Sequence, residues 1–513
     1  MTEKGSKWAL QIRRLTRPSW GVTPKYARHL YIGVALPRVL YGADVWCGPS
    51  IDPKFDSSAI ASARVINQLT KIQHSGAVAI TGALRTSPTD TLDVCAFLLP
   101  CLLTVEKWCH RAAVRLSSLP PEHPLYKPVK SIKSRKVRRH KSPLHLIFRS
   151  TTFDPKRIEK IPAKPRNPAH IGKLPFKVSI ASSKEASILE DRNAQDQIRI
   201  YSDGSAHEGK VGAAAILTQT GKPNRTLHYH LGPDSERTVA EAELIGIVLA
   251  MHLLLTEKHR NVPCAIGTDN HAALEAYNTN LRNPAHQAAR EALRLGNMLQ
   301  KRTKGKQYAL TLRWTAGHVG ILGNELADVE AKRAAGGHTS DKSSLPPFLR
   351  RTLTVNPSAI LRKSKAELKR KWDAAWKRSH RSKKIAKIDN KTPSAHLLRI
   401  ISNADISRRS ASLVTQILTE HIPLNEYLNR FKLVDSPRCP ACRSGSESVR
   451  HFLLECPIYV HERWLLEKWC RKRNKALTLE NLLDNEEAIK PLTNFIHASL
   501  RFSSDSYPSH PST

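Results

Sequence analysis

Four carboxylates in this 513-residue chain fall where a metal-dependent phosphodiester hydrolase would need them: Asp203, one of Glu241 or Glu243, Asp269 and Asp328. Cutting a phosphodiester requires an activated water and a stabilised leaving oxygen, and two Mg²⁺ about 3.5–4 Å apart supply both. Mg²⁺ takes hard oxygen ligands in near-octahedral geometry, so carboxylates are the expected donors, with Mn²⁺ as a substitute ion. Each acid taken singly has an ordinary reading. Asp203 lies in a Ser-Asp-Gly sequence typical of turns, Asp269 suits a helix cap and Asp328 suits an i,i+4 pair with Lys332. Their joint order carries the specificity: a strand-end Asp, a Glu on the first helix, a second strand-end Asp, then Gly317-His318 followed by a helical Asp. A second cluster is soft. Cys439, Cys442, His451 and Cys456 follow the spacing C-x2-C-x8-H-x4-C, which suits a closed tetrahedral structural Zn²⁺ site.

The elements around the acids follow from hydrophobic period. Gln197 to Ser205 alternates as a half-buried strand that Asp203 ends, with Gly204 turning the chain sharply after it. Val211 to about Thr220 and Arg225 to Leu231 follow at hairpin spacing. From Thr238 to Leu255 the apolar residues recur at helical period and both glutamates flank that stripe. Small Gly246 and Ala250 beside Glu243 favour it over Glu241, since they leave room for a sheet and an ion. A strand from Cys264 to Thr268 delivers Asp269 at the carboxyl edge, where sites of open α/β sheets gather. Helices from Asn270 to Tyr277 and from Pro284 to Gln300, a strand from Tyr308 to Trp314 and a last helix carrying Asp328 complete the pattern.

These pieces resemble the type 1 RNase H family: Tyr-Ser-Asp-Gly-Ser (Tyr201 to Ser205), Ala-Glu-Leu-Ile-Gly-Ile (Ala242 to Ile247), Thr-Asp-Asn (Thr268 to Asn270) and Trp314 through Asp328. The resemblance implies an α/β fold with a mixed five-stranded sheet and flanking helices, and it selects Glu243. It makes Asp203, Glu243, Asp269 and Asp328 the Mg²⁺ ligands and His318 a loop histidine that assists turnover. It also implies an RNA–DNA hybrid as substrate, the 2′-hydroxyl marking the strand to be cut, with Ser205, Asn270 and Asn324 at the nucleic acid. Clustered carboxylates repel one another, so raised carboxylate pKa values are expected without metal. The basic protrusion of several family members is missing, because only Asn278 to Asn283 separates the two helices. The grip would then come from Lys301, Arg302 and Lys304 or from another domain.

The formal net charge is +38, with a pI near 10.1 and 40% hydrophobic residues. A polyanionic partner follows, since phosphate neutralisation releases counterions. No uninterrupted apolar run reaches a membrane span, and no signal-peptide core opens the chain. A soluble protein of the nucleus or cytoplasm is expected. The six cysteines outside the cluster sit in apolar contexts as reduced thiols.

Residues 1–126 are expected to be helical. Phrases such as Leu69 to His74, Ile80 to Arg85, Leu98-Leu99-Pro100 and Pro120 to Leu125 look like the region after the palm in reverse transcriptases of non-LTR (LINE-like) retrotransposons. No Asp-Asp dipeptide occurs, so polymerase chemistry is not expected. Residues 127–196, rich in Lys, Arg and Pro, are expected to be a mobile basic linker. Residues 197–336 form the nuclease and 337–435 a basic helical region, including a helix from Ile360 to Lys391 with Trp372 and Trp376 one turn apart. Residues 436–475 make a small module resembling the CCHC knuckle of LINE-type proteins, which would grip nucleic acid. Residues 476–513 end in a disordered tail. The alternative to an enzyme is a catalytically idle, retroelement-derived nucleic-acid-binding remnant. Retention of all four acids and the histidine speaks against it.

Overall fold

The computed structural model describes residues 2–47, 58–134, 142–149, 151–161, 174–219, 221–257, 262–278, 287–302 and 310–503. The chain divides into two units: Met1–Cys109 with Glu367–Thr513, and His110–Ala366 between them in sequence. The first unit opens with α1 (Thr2–Leu15) and α2 (Ser58–Thr81), which pack together.

The intervening unit is built on one sheet. Its elements are β1 (Lys177–Ser179), α3 (Lys184–Asn193), β2 (Ile198–His207), β3 (Lys210–Gln219), β4 (Lys222–Pro233), α4 (Val239–Thr256), β5 (Cys264–Thr268), α5 (His271–Asn278), α6 (Gln287–Arg302), β6 (Leu310–Trp314) and α7 (Leu322–Ala335). The strand order is β1-β6-β5-β2-β3-β4, with β2, β3 and β4 antiparallel and β1, β6, β5 and β2 parallel. The sheet therefore has six strands where five are expected. The extra one, β1, comes from the segment expected to be a mobile linker, and so does α3, capped where the Ser183 hydroxyl accepts from the Ala186 N–H at 3.1 Å. Three residues on a sheet edge are too few for period to register among the surrounding basic residues.

Helix α4 is buried almost all round. It is long and apolar enough to cross a membrane by length and composition, but here it lies in the core with Ile198, Ile200, Ala213 and Leu293. A helix covered on every side has no polar face to preserve. Asp203 does not end its strand: β2 runs on to His207 and Asp203 pairs with Ala214 in mid-strand. Gly204 accordingly makes no turn. A Cβ on it would lie 2.4 Å from the Glu243 nitrogen, so its role is to let α4 lie directly against the sheet.

The chain then returns to the first unit through α8 (Pro357–Arg378), α9 (Arg408–Thr419), α10 (Val460–Arg471) and α11 (Ile489–Ala498). The helix expected from Ile360 to Lys391 stops at Arg378, followed by a separate turn at Ser382–Ile385. Trp372 and Trp376 are core residues: Trp372 stacks on Phe97 with centroids 5.7 Å apart, and the Trp376 indole N–H donates to Thr392 Oγ1. Arg408 is buried and donates to the carbonyl oxygens of Ala79 and Ile80 at 2.6 Å each, at the C-terminal end of α2. Those carbonyls lack partners within their own helix, and a cation there also meets the negative end of the helix dipole. The first and last stretches of the chain thus share one core, where the sequence suggests separate segments. The tail expected to be disordered lies outside the described residues from 504 onward.

Candidate active site and metal centre

Three acids converge in the intervening unit. Asp203 comes from the middle of β2, Glu243 from the second turn of α4 and Asp269 from just beyond β5, and one carboxylate oxygen of each lies within 4.8 Å of the others. Gly204 permits the first approach. Gly317 permits another, because a Cβ there would lie 2.6 Å from Asp269 Oδ2. Asp203 and Glu243 are buried, and Glu243 Oε2 has no hydrogen-bond partner.

The carboxylates are raised in the expected direction, with burial rather than mutual repulsion as the larger cause. Burial, then the charges of Asp269 and Asp328, push Asp203 up to about 7. Glu243 is raised well above the ordinary carboxylate range by burial first and then by Asp203 and Asp269. Asp269 is also raised by burial, opposed by His318 and by a hydrogen bond from Asn324. A buried, unpartnered carboxylate oxygen within a trio of acids is an unfavourable arrangement that a divalent cation relieves. The donor set is all oxygen, which fits Mg²⁺ or Mn²⁺.

Glu241 is placed elsewhere. Its carboxylate takes a 3.0 Å hydrogen bond from Arg237, whose guanidinium also reaches the Leu353 and Thr354 carbonyls, so this pair ties the start of α4 to the segment before α8.

Asp328 acts on the trio only through its charge. It lies outside the 4.8 Å group, and its Oδ2 accepts from Lys332 Nζ at 2.7 Å. His318 is exposed, with φ of 56° in the left-handed region, in the loop between β6 and α7.

Asn270 and Asn324 also lie against the acids. Asn270 Oδ1 accepts from the Ala273 N–H at the start of α5, and its side chain also hydrogen-bonds Glu243. Asn324 is buried, bonded to Thr315 Oγ1 at 3.0 Å and to Asp269. The sequence does not separate these roles, because both asparagines sit inside the quoted motifs. Ser205 is half-buried on β2. Arg302 is exposed and donates to the Leu255 carbonyl near the end of α4; Lys301 is exposed, and Lys304 lies outside the described residues.

The second cluster is in the first unit. Cys439, Cys442, His451 and Cys456 bring their ligand atoms within 4.8 Å of one another. Cys439 Sγ and Cys456 Sγ are 3.9 Å apart, and Cys442 Sγ and His451 Nε2 are 3.3 Å apart. Two thiolates each about 2.3 Å from a shared tetrahedral centre stand roughly 3.8 Å apart, so the set fits Zn²⁺. All nine cysteines are free. The Ser444 hydroxyl donates to Cys442 and lowers its thiol to about 6, whereas burial pushes Cys439 up to about 11. The cluster is no free-standing knuckle. Cys439 and Cys456 belong to the same core as Phe452, Leu466 and Phe495. Arg463 is buried and donates to the Leu453 and Cys456 carbonyls at 2.8 Å, fixing the loop that holds the last thiol.

Residues 195–336 match the family model described as RNase H, and residues 369–464 match the one described as zinc-binding in reverse transcriptase. The intervening unit carries an RNase H domain, and all four Cys/His ligands lie in the zinc-binding segment. Together they are consistent with a retroelement reverse-transcriptase-related protein. At family level the first match supports a hydrolase acting on RNA–DNA hybrids. Among solved structures, LC9-RNase H1, a type 1 RNase H with the type 2 active-site motif, is 21% identical over 28% of this chain and 75% of its own, with a TM-score of 0.21. RNase H1 from Halobacterium salinarum is 15% identical over 28% and 98%, with a TM-score of 0.21. The foamy viral protease-reverse transcriptase in complex with RNA/DNA hybrid is 14% identical over 28% and 20%, with a TM-score of 0.22. No curated protein matches the chain.

Proposed function

We propose that the chain is an RNA–DNA hybrid endoribonuclease of a retroelement, cutting the RNA strand with two Mg²⁺. One observation carries the reading: three acids from three separate elements meet within 4.8 Å around a buried carboxylate oxygen that has no partner. Asp203, Glu243 and Asp269 would hold the ions, with Asp328 nearby. When bound, such ions activate a water and stabilise the charge on the leaving oxygen. The chain's own residues do the rest. Asn270 and Asn324 orient Glu243 and Asp269, and His318 stands exposed on the loop between β6 and α7, where it can reach a departing product. Such a substrate places the work in the nucleus or the cytoplasm. The Cys/His cluster would hold one structural Zn²⁺.

The idle, nucleic-acid-binding reading draws on a single observation, the Asp328–Lys332 ion pair, which occupies the fourth acid. A cleavage assay decides between the two. Purified chain with Mg²⁺ should degrade the RNA of a hybrid duplex, and Asp269→Asn should abolish this. Unchanged cleavage in that variant, or equal cutting of single-stranded RNA, removes the proposal.

A further inference from the structure

A cavity of about 410 Å³ opens in the first unit, away from both metal-ligand clusters in sequence. Lys71, His74 and Val78 recur along α2 at three- and four-residue steps, so one stripe of that helix forms its wall. Arg13 from α1 and Arg85 and Thr89 from the segment after α2 also line it. Val78 is the sole apolar residue of the lining and no carboxylate lines it.

Among the described residues Arg13, Lys71 and Arg85 have no ion-pair partner, and all three side chains are exposed. Asp90, next to Thr89 in sequence, is already taken by the Ser379 hydroxyl at 2.6 Å and by Arg381.

The wall is also fixed in place. His74 Nε2 lies 3.0 Å from the Arg85 carbonyl and Nδ1 lies 3.1 Å from Thr89 Oγ1. A carbonyl only accepts, so Nε2 carries the hydrogen, and in the neutral ring Nδ1 accepts from the Thr89 hydroxyl. One imidazole thus pins both ends of the segment that presents Arg85. Three like charges around one cavity with no carboxylate in its lining repel one another, and an anion that enters between them removes that cost.

We infer that this cavity is a phosphate-binding site that takes the backbone of a nucleic-acid strand, a second grip in a unit that carries none of the four acids. It stands whether or not the acid pocket cleaves. A strand is favoured over a free phosphate because the cations stand exposed around a cavity roomier than one phosphate group.

The test uses the full chain with Asp269→Asn throughout, so that no probe is cut, and a fluorescein-labelled single-stranded RNA read by anisotropy across a salt series. Arg13→Glu, Lys71→Glu and Arg85→Glu together should weaken binding at least tenfold. They should also flatten the dependence of log affinity on log salt by about 2, three contacts at roughly 0.7 each. Charge-matched reversal of exposed Lys383, Lys387 and Lys432 should change affinity less than threefold. The milder Lys71→Gln with Arg85→Gln, with its fold checked by circular dichroism, should show an intermediate loss. Unchanged RNA affinity in the pocket variants overturns the inference, and so does an equal loss in the control. Saturation of the pocket by inorganic phosphate or a mononucleotide with RNA binding untouched also overturns it.

Discussion

The two metal-ligand clusters solve opposite problems. In the intervening unit three acids are brought together from the middle of one strand, a helix and the end of another strand, and their repulsion is held in check by the packing of α4 on the sheet. In the first unit four softer donors come from one short stretch, and their burial is part of the core itself. On the proposed reading the acid pocket serves chemistry on a fold packed around α4, and the thiolate cluster serves stability within the core it belongs to.

Stripping zinc, or Cys456→Ser, should have the largest effect. Metal binding of this kind is worth on the order of 10 kcal/mol in zinc-finger peptides. The thermal transition of the first unit should be lost, about one Zn²⁺ per chain should disappear from metal analysis, and that of the intervening unit should persist. Loss of both transitions would break the comparison.

Two neighbouring glutamates sharpen it. Glu243→Gln should lower hybrid cleavage by about 10³-fold, the scale of removing one preorganised electrostatic group, while leaving the melting temperature unchanged or higher. Glu241→Gln should do the reverse. Leaving Arg237 buried without its carboxylate costs about 3–5 kcal/mol, while activity per folded molecule is kept. A matched loss of stability in both variants would erase the distinction.

The pH dependence is smaller. Without metal, Asp203 in the folded state keeps its proton up to about pH 7, against an ordinary value of 3.8. Protonation therefore favours the folded form: the contribution is complete below about pH 4 and is lost as pH rises through 7. Burial moves Glu243 and Asp269 in the same direction. Calorimetry of the metal-free protein should show the transition of the intervening unit falling between those values. Added Mg²⁺ should restore it more at about pH 8 than at about pH 5. Equal restoration at both would show that the acids do not hold the ion. The mildest change is His318→Ala. It should slow turnover by no more than about 10²-fold, the lower end of what a positioned proton carrier supplies, with hybrid affinity unchanged.

The sequence alone determined whatever rests on local period or short spacing. The C-x2-C-x8-H-x4-C set, the strand from Cys264 to Thr268 and the helix read from Thr238 to Leu255 are all found where their residues put them, because each depends on neighbours a few positions away. Tertiary structure decided what depends on distant partners. Arg237 and the Leu353 and Thr354 carbonyls give Glu241 its structural role, and Lys332 with the fold around α7 leaves Asp328 outside the trio. Contacts across more than three hundred residues, such as Arg408 on the end of α2, join the two ends of the chain into one core. Gly204 shows the limit most directly. Its sequence context reads as a turn, but the backbone of α4 needs the space a side chain would fill, and nothing nearby in the sequence records where that helix packs.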